Sequence, residues 1–268
     1  MISRLPSITA LALYTFGTLA LWGVGPLLVL FRISNHTALV VAEVLLTMLW
    51  LGFCIGIVKS IAKLRLGLAG NAAGLAVCMG VILLLAVGRI GHPFSGIALM
   101  LAASFFGCVV AVLFREPNIL LPVVLLSPLV DKWTVYFGPV GQVVEHTPEM
   151  LEHVSAAIPG TGVLQPLALV GVGDFLFMAM FLSAAYKLGM HPDRTAVFLY
   201  VLVTIAMLVV LTLPIFSEVG FPGLVAIATG FLAANYKCFR LSKSEKVITA
   251  VIAIIAVSAL LWFYINGR

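Results

Sequence analysis

The sequence predicts an all-α, polytopic integral membrane protein with about nine transmembrane helices. Composition, the spacing of apolar runs and the placement of Lys and Arg carry that expectation. Hydrophobic residues make up 63% of the 268 residues and charged residues only 9%, with a mean hydropathy of +1.21. A soluble domain carries roughly a quarter charged residues, so water is excluded as the main solvent. A hydrocarbon core about 30 Å thick takes roughly 20 residues per helix, and this length leaves room for about nine crossings.

The apolar runs fall near residues 7–31, 38–58, 67–88, 94–114, 118–138, 166–187, 195–215, 219–236 and 246–265. The first, apolar from Leu5 to Phe31, is too long for a signal-peptide core and lacks a small-x-small cleavage site, so it reads as a retained span. Tryptophans and tyrosines, among them Trp22, Trp133, Tyr136 and Trp262, lie mostly toward run ends, as interfacial aromatics do. The runs divide the chain into N-terminal scaffold helices (1–117), a core (118–236) and a last loop and helix (237–268).

Counted on alternate sides, the cations are unequal. One side collects Arg4, Lys59, Lys63, Arg65, Arg115, Lys187, Arg194, Lys237, Arg240, Lys243 and Lys246; the other has Arg32, Arg89 and Arg268. This bias places the N-terminus in the cytoplasm, and the C-terminus and the 139–165 connection outside. Within that connection, Thr147-Pro148-Glu149 reads as a helix start and Pro159-Gly160 as a stop, predicting a short surface helix over 148–157. Its His146, Glu149 and His153 recur at i, i+3 and i+7 on one face, which reads first as the solvated face of an interfacial helix and only second as a set of metal-capable groups.

The basic residues form short loop clusters without interleaved aromatics, which gives no footprint for nucleic acid. Cys54, Cys78, Cys108 and Cys238 contain no CxxC pair and read as packing residues. Neither a metal nor a cofactor is implied, and the partner the composition demands is the lipid bilayer.

Acidic side chains inside apolar runs cost a few kcal/mol or more and are functional candidates by default. Glu43 lies near the outer end of its run, where snorkelling can satisfy it. Asp131 lies seven residues before its run reaches the outer face, and Asp174 eight residues after the next run leaves it. At 1.5 Å per residue those depths are roughly 10 and 12 Å, so the two carboxylates are expected level on consecutive antiparallel helices. Two such carboxyls at close range share a proton: the ionised one takes a proton from attacking water while the protonated one polarises a carbonyl. Pro117, Pro122 and Pro128 accompany Asp131 and loosen its backbone; Gly171 and Gly173 precede Asp174 and permit close approach. Glycine-rich helix packing around a proton-carrying carboxylate produces the same pattern. A proton- or cation-coupled transporter or channel using these carboxylates therefore stands beside hydrolysis as an alternative.

The segment Leu169-Val170-Gly171-Val172-Gly173-Asp174-Phe175-Leu176-Phe177 resembles the GxGD intramembrane aspartyl proteases, the family of presenilin and signal peptide peptidase. Val130-Asp131 followed by Tyr136-Phe137-Gly138-Pro139 is similar to the region of that family's first catalytic aspartate. Phe221-Pro222-Gly223-Leu224 is similar to its Pro-Ala-Leu signature. Val130 stands where the family has tyrosine, Lys132 follows the first aspartate, and Gly223 replaces the signature's alanine. The likeness covers roughly residues 118–236. It implies a presenilin-like helical bundle that cleaves single-span membrane proteins or signal peptides with Asp131 and Asp174 as the catalytic pair. On that likeness Gly171, Gly173, Pro222, Gly223 and Leu224 bind the substrate backbone, the last three by offering backbone groups for strand pairing. A catalytically silent, helix-binding relative would carry the same motifs.

Overall fold

The computed structural model describes residues 7–30, 36–136, 155–160, 166–212 and 223–266. In chain order the helices are α1 (Ser7–Leu30), α2 (His36–Leu64), α3 (Leu68–Val87), α4 (Phe94–Ala111), α5 (Leu120–Tyr136), α6 (Val172–Lys187), α7 (Pro192–Thr212), α8 (Gly223–Asn235) and α9 (Lys243–Asn266). Strands β1 (Ser155–Pro159) and β2 (Pro166–Gly171) lie between α5 and α6. Among the described residues five helices, α1 to α4 and α7, are long and apolar enough to cross a membrane. The protein is thus predominantly helical and of multi-pass membrane character.

The surface explains why these helices form. On α3 the buried residues are Asn71 and Cys78, whereas Leu83, Leu84 and Val87 are 66%, 72% and 78% exposed. A helix apolar on its outward face is stable only in an apolar solvent. Hydroxyls inside the helices bond back to their own backbone, as Thr18 does to the Tyr14 carbonyl (2.8 Å) and Ser104 to that of Met100 (2.7 Å). Neither hydroxyl then meets hydrocarbon with its proton unshared.

The chain divides into two compact units, one drawn from 1–112 and 152–186, the other from 113–151 and 187–268. In the first, α1 pairs with α2 and α3 with α4, while α2 also packs on α4. The strand β1 is buried along its whole length against α1, α2 and α4. The inner face of α4 is mostly small, with Gly96, Ala98, Ala103, Gly107 and Ala111 all buried, and in a membrane such faces let backbones approach. At Gly107 the approach is closest: a Cβ there would strike the Leu176 carbonyl oxygen and lie 2.9 Å from the Met180 backbone nitrogen, both on α6.

In the second unit α8 packs on α7 and α5, and α9 packs on α5. A Cβ at Gly230 of α8 would lie 3.3 Å from the backbone of Phe198 and Leu199 in α7. The same helix pair is tied by Asn235, whose Nδ2 donates to the Thr195 hydroxyl (2.7 Å) and the Phe231 carbonyl (3.0 Å) and whose Oδ1 accepts from the His191 N–H (3.0 Å).

Two sequence expectations are corrected here. The run 166–187 is helical only from Val172; residues 166–171 form β2, paired antiparallel with β1 from Ser155 opposite Gly171 to Pro159 opposite Pro166. A short apolar run bounded by Pro and Gly does not distinguish strand from helix by periodicity, and the buried Ser155–Pro159 partner decides for the strand. The surface helix expected over 148–157 is likewise contradicted at its end, where residues 155–157 belong to β1. Residues 148–154, with Glu149 and His153, and His146 lie outside the described residues. The all-α expectation holds apart from this two-stranded sheet among the described residues.

Gly107→Leu is expected to lower the thermal midpoint in detergent by an amount matching about 1–3 kcal/mol of overpacking or more. Gly80→Leu, on α3 where no described atom lies within 4 Å of an added Cβ, should leave it within error.

Candidate active site

The helix bearing Asp131 starts from prolines. Pro117 opens a 3-10 turn (Pro117–Ile119), and Pro122 lies in the first turn of α5, where a backbone N–H has no intrahelical partner to lose. Pro128 is different, because it stands inside α5 and deprives the Val124 carbonyl of its usual donor. The Ser127 hydroxyl supplies the missing bond, donating to that carbonyl at 3.1 Å. The carboxylate of Asp131 follows within one turn of this interruption.

Asp131 is half-buried, and its Oδ2 accepts a hydrogen bond from the Leu224 backbone N–H at 3.2 Å. Leu224 is the second residue of α8 and buried, so its N–H is one of the four at a helix start that lack an intrahelical acceptor. A carboxylate there also meets the positive end of the helix dipole. Lys132 leaves α5 on another face, since consecutive helical positions point about 100° apart.

The structure therefore brings Asp131 and Leu224 together and changes the expected role of Leu224. Its N–H, expected to pair with an added strand, donates to a side chain of the protein itself. Gly223 is the half-buried first residue of α8, and Pro222 lies outside the described residues.

Asp174 occupies the first turn of α6. The expectation that it lies eight residues inside a helix is corrected, because α6 begins at Val172. The adjacent Phe175 is fully buried and meets Trp50 edge-on at 6.3 Å between ring centroids. This contact anchors the helix start in the core while Asp174, one position earlier, stays half-buried. Gly171 ends β2 beside it: a Cβ at Gly171 would stand 3.9 Å from the Asp174 Oδ2, whereas one at Gly173 would meet no described atom within 4 Å.

Sequence reasoning missed the strand that delivers Asp174. β1 is buried on the helices, and among the described residues no third strand pairs with the other edge of β2. On β2 itself Leu169 and Gly171 are exposed while Val170 between them is buried, the alternation of a half-covered strand. The flanking prolines and glycines at 159–160 and at 166 and 171 were the available signal. Asp131 belongs to the second compact unit and Asp174 to the first. Among the described residues no cluster of three His, Cys, Asp or Glu suited to a metal ion occurs.

Comparisons with protein-family models, with curated proteins and with solved structures found no match.

Removing the Asp131 acceptor tests its part in the fold separately from any chemistry. Asp131→Ala should cost about 0.5–2 kcal/mol of stability, the usual range for a lost helix-start acceptor, and Asp131→Asn only a few tenths. Thermal denaturation in detergent reads both.

Proposed function

We propose that this chain is a nine-span intramembrane aspartyl protease of the presenilin and signal peptide peptidase kind, with Asp131 and Asp174 as its catalytic pair. The observation that carries the reading is the junction of β2 with α6: an edge strand runs directly into the turn that holds Asp174. A peptide bond inside a transmembrane helix is protected, because its carbonyl is engaged in the i→i−4 ladder. Hydrolysis therefore requires the substrate locally extended, and an extended segment pairs with a strand edge through its main chain. A substrate strand on β2 would run past Gly171 toward Asp174, and the room beside Gly173 suits a second backbone there.

On this reading one aspartate, ionised, accepts a proton from water as the water attacks the scissile carbonyl. The other, protonated, donates to the carbonyl oxygen, and the proton taken from water then goes to the departing amine. No acyl-enzyme forms, and the chemistry uses the chain's own carboxyls and water. With the N-terminus cytoplasmic, the substrate class is type II membrane proteins or signal peptides left in the bilayer.

The test is cleavage of a model transmembrane peptide by the full chain in detergent. Wild type should cut, and Asp131→Asn and Asp174→Asn should each lose at least about 10²-fold in rate; cleavage surviving in either would sink the pair. Ion flux in liposomes that vanishes with the same substitutions, in a chain that never cuts, would assign the carboxylates to transport. Gly173→Ala separates architecture from substrate approach: the open space predicts an unchanged thermal midpoint, and a second backbone at Gly173 predicts slower cleavage.

A further inference from the structure

Away from the aspartates, the loop joining α8 to α9 is held in one arrangement by side chains. Asn118, in the turn before α5, grips the backbone of Arg240 from both sides, its Nδ2 donating to the Arg240 carbonyl (3.0 Å) and its Oδ1 accepting from the Arg240 N–H (3.2 Å). The start of α9 is closed by a capping box. The Ser242 N–H donates to Glu245 Oε2 (2.7 Å), and the Glu245 N–H donates to the Ser242 hydroxyl (3.3 Å). Asn118 also donates to Glu245 Oε1 (3.4 Å), so one residue ties the loop, the cap and the entry to α5 together.

This fixed loop and the first turn of α9 carry four cations, Lys237, Arg240, Lys243 and Lys246, against the single carboxylate of Glu245. All four cations are exposed. Glu245 Oε2 is turned to the Ser242 N–H and Oε1 to Asn118, and the Ser242 N–H, the Ser242 hydroxyl and Asn118 hold its carboxyl below the ordinary glutamate range. The capping box takes up the N–H groups of Ser242 and Glu245, and the exposed side-chain cations offer the contact for an anion. Immediately below them the helix is greasy. Val247, Ile254, Val257 and Leu261 recur at helical spacing on the face that begins with Lys243, and each is more than half exposed.

We propose that this platform is a binding site for an anionic phospholipid, with the phosphate against Arg240, Lys243 and Lys246 and an acyl chain along the α9 stripe. A soluble anion would use the cations and leave the stripe uncovered; a neutral lipid would use the stripe and leave the cations without a counter-charge. Only an anionic lipid answers both. On the orientation proposed above this end of α9 faces the cytoplasm, where the leaflet supplies anionic lipid. The assignment does not depend on peptide hydrolysis.

The full chain is reconstituted into nanodiscs of phosphatidylcholine doped with phosphatidylglycerol, released into mild detergent, and its retained lipids are counted by native mass spectrometry. Wild type should retain phosphatidylglycerol over phosphatidylcholine, and each cation removed should weaken retention roughly fivefold. The double variant Lys243→Gln/Lys246→Gln should therefore lose the preference, and Lys243→Arg/Lys246→Arg should keep it. Thermal midpoints confirm folding, and Arg240→Gln gives the same reading if the double variant misfolds. Equal retention of the two lipids by wild type, or an unchanged preference in the folded Gln variants, overturns the site. Stripping of the lipid by inorganic phosphate, with phosphate bound in its place, assigns the cations to a small anion and overturns the lipid assignment.

Discussion

Hydrocarbon offers no hydrogen bonds, so a backbone group released from a helix ladder must find its partner within the chain. Where Pro128 interrupts α5, the Ser127 hydroxyl serves the stranded Val124 carbonyl. Just past the end of α4, the Lys187 ammonium donates to the Phe114 carbonyl at 2.8 Å. Where the chain leaves helix geometry altogether, before α6, the two strands answer each other's backbone and β1 is sealed against α1, α2 and α4. A lone strand in that position would leave a row of unpaired groups, each costing several kcal/mol in hydrocarbon.

The same constraint accounts for where the two aspartates sit. Neither stands in the middle of an uninterrupted helix. Asp174 lies in the first turn of its own helix, and Asp131 accepts from the first turn of another, α8. Helix starts are the places in such a protein where N–H groups still need acceptors and where the helix dipole favours negative charge. Close packing then holds these starts in place: the fully buried Phe175 anchors that of α6, and Gly230 lets α8 lie against the α7 backbone.

Much of this was legible in the sequence, and its failures have physical causes. The run 7–31 became α1 (Ser7–Leu30) and 94–114 became α4 (Phe94–Ala111) almost unchanged, because long apolar runs have one stable form in lipid. The run 38–58 grew into α2 (His36–Leu64): Lys59 and Lys63 end the apolar stretch without ending the helix, which stops at Arg65 with a φ of 48°. The strand 166–171 was hidden because its pairing partner Ser155–Pro159 lies outside the apolar run, and hydropathy does not register pairing. Asp131 was found by its charge alone, but its bond to Leu224 spans 93 residues and no local pattern announces it.

A helix start in a membrane does not by itself call for aspartate. Asn and Ser accept from the same N–H groups about as well, and neither carries the cost of a few kcal/mol that an ionisable group meets in hydrocarbon. Just before α7 this chain uses such a neutral group, the Asn235 Oδ1 that accepts from the His191 N–H. The choice of a carboxyl at 131 and again at 174 therefore exceeds what satisfying the backbone requires. What a carboxyl adds over an amide is the ability to give up and take back a proton, and that ability is the one that water attack on a peptide carbonyl uses.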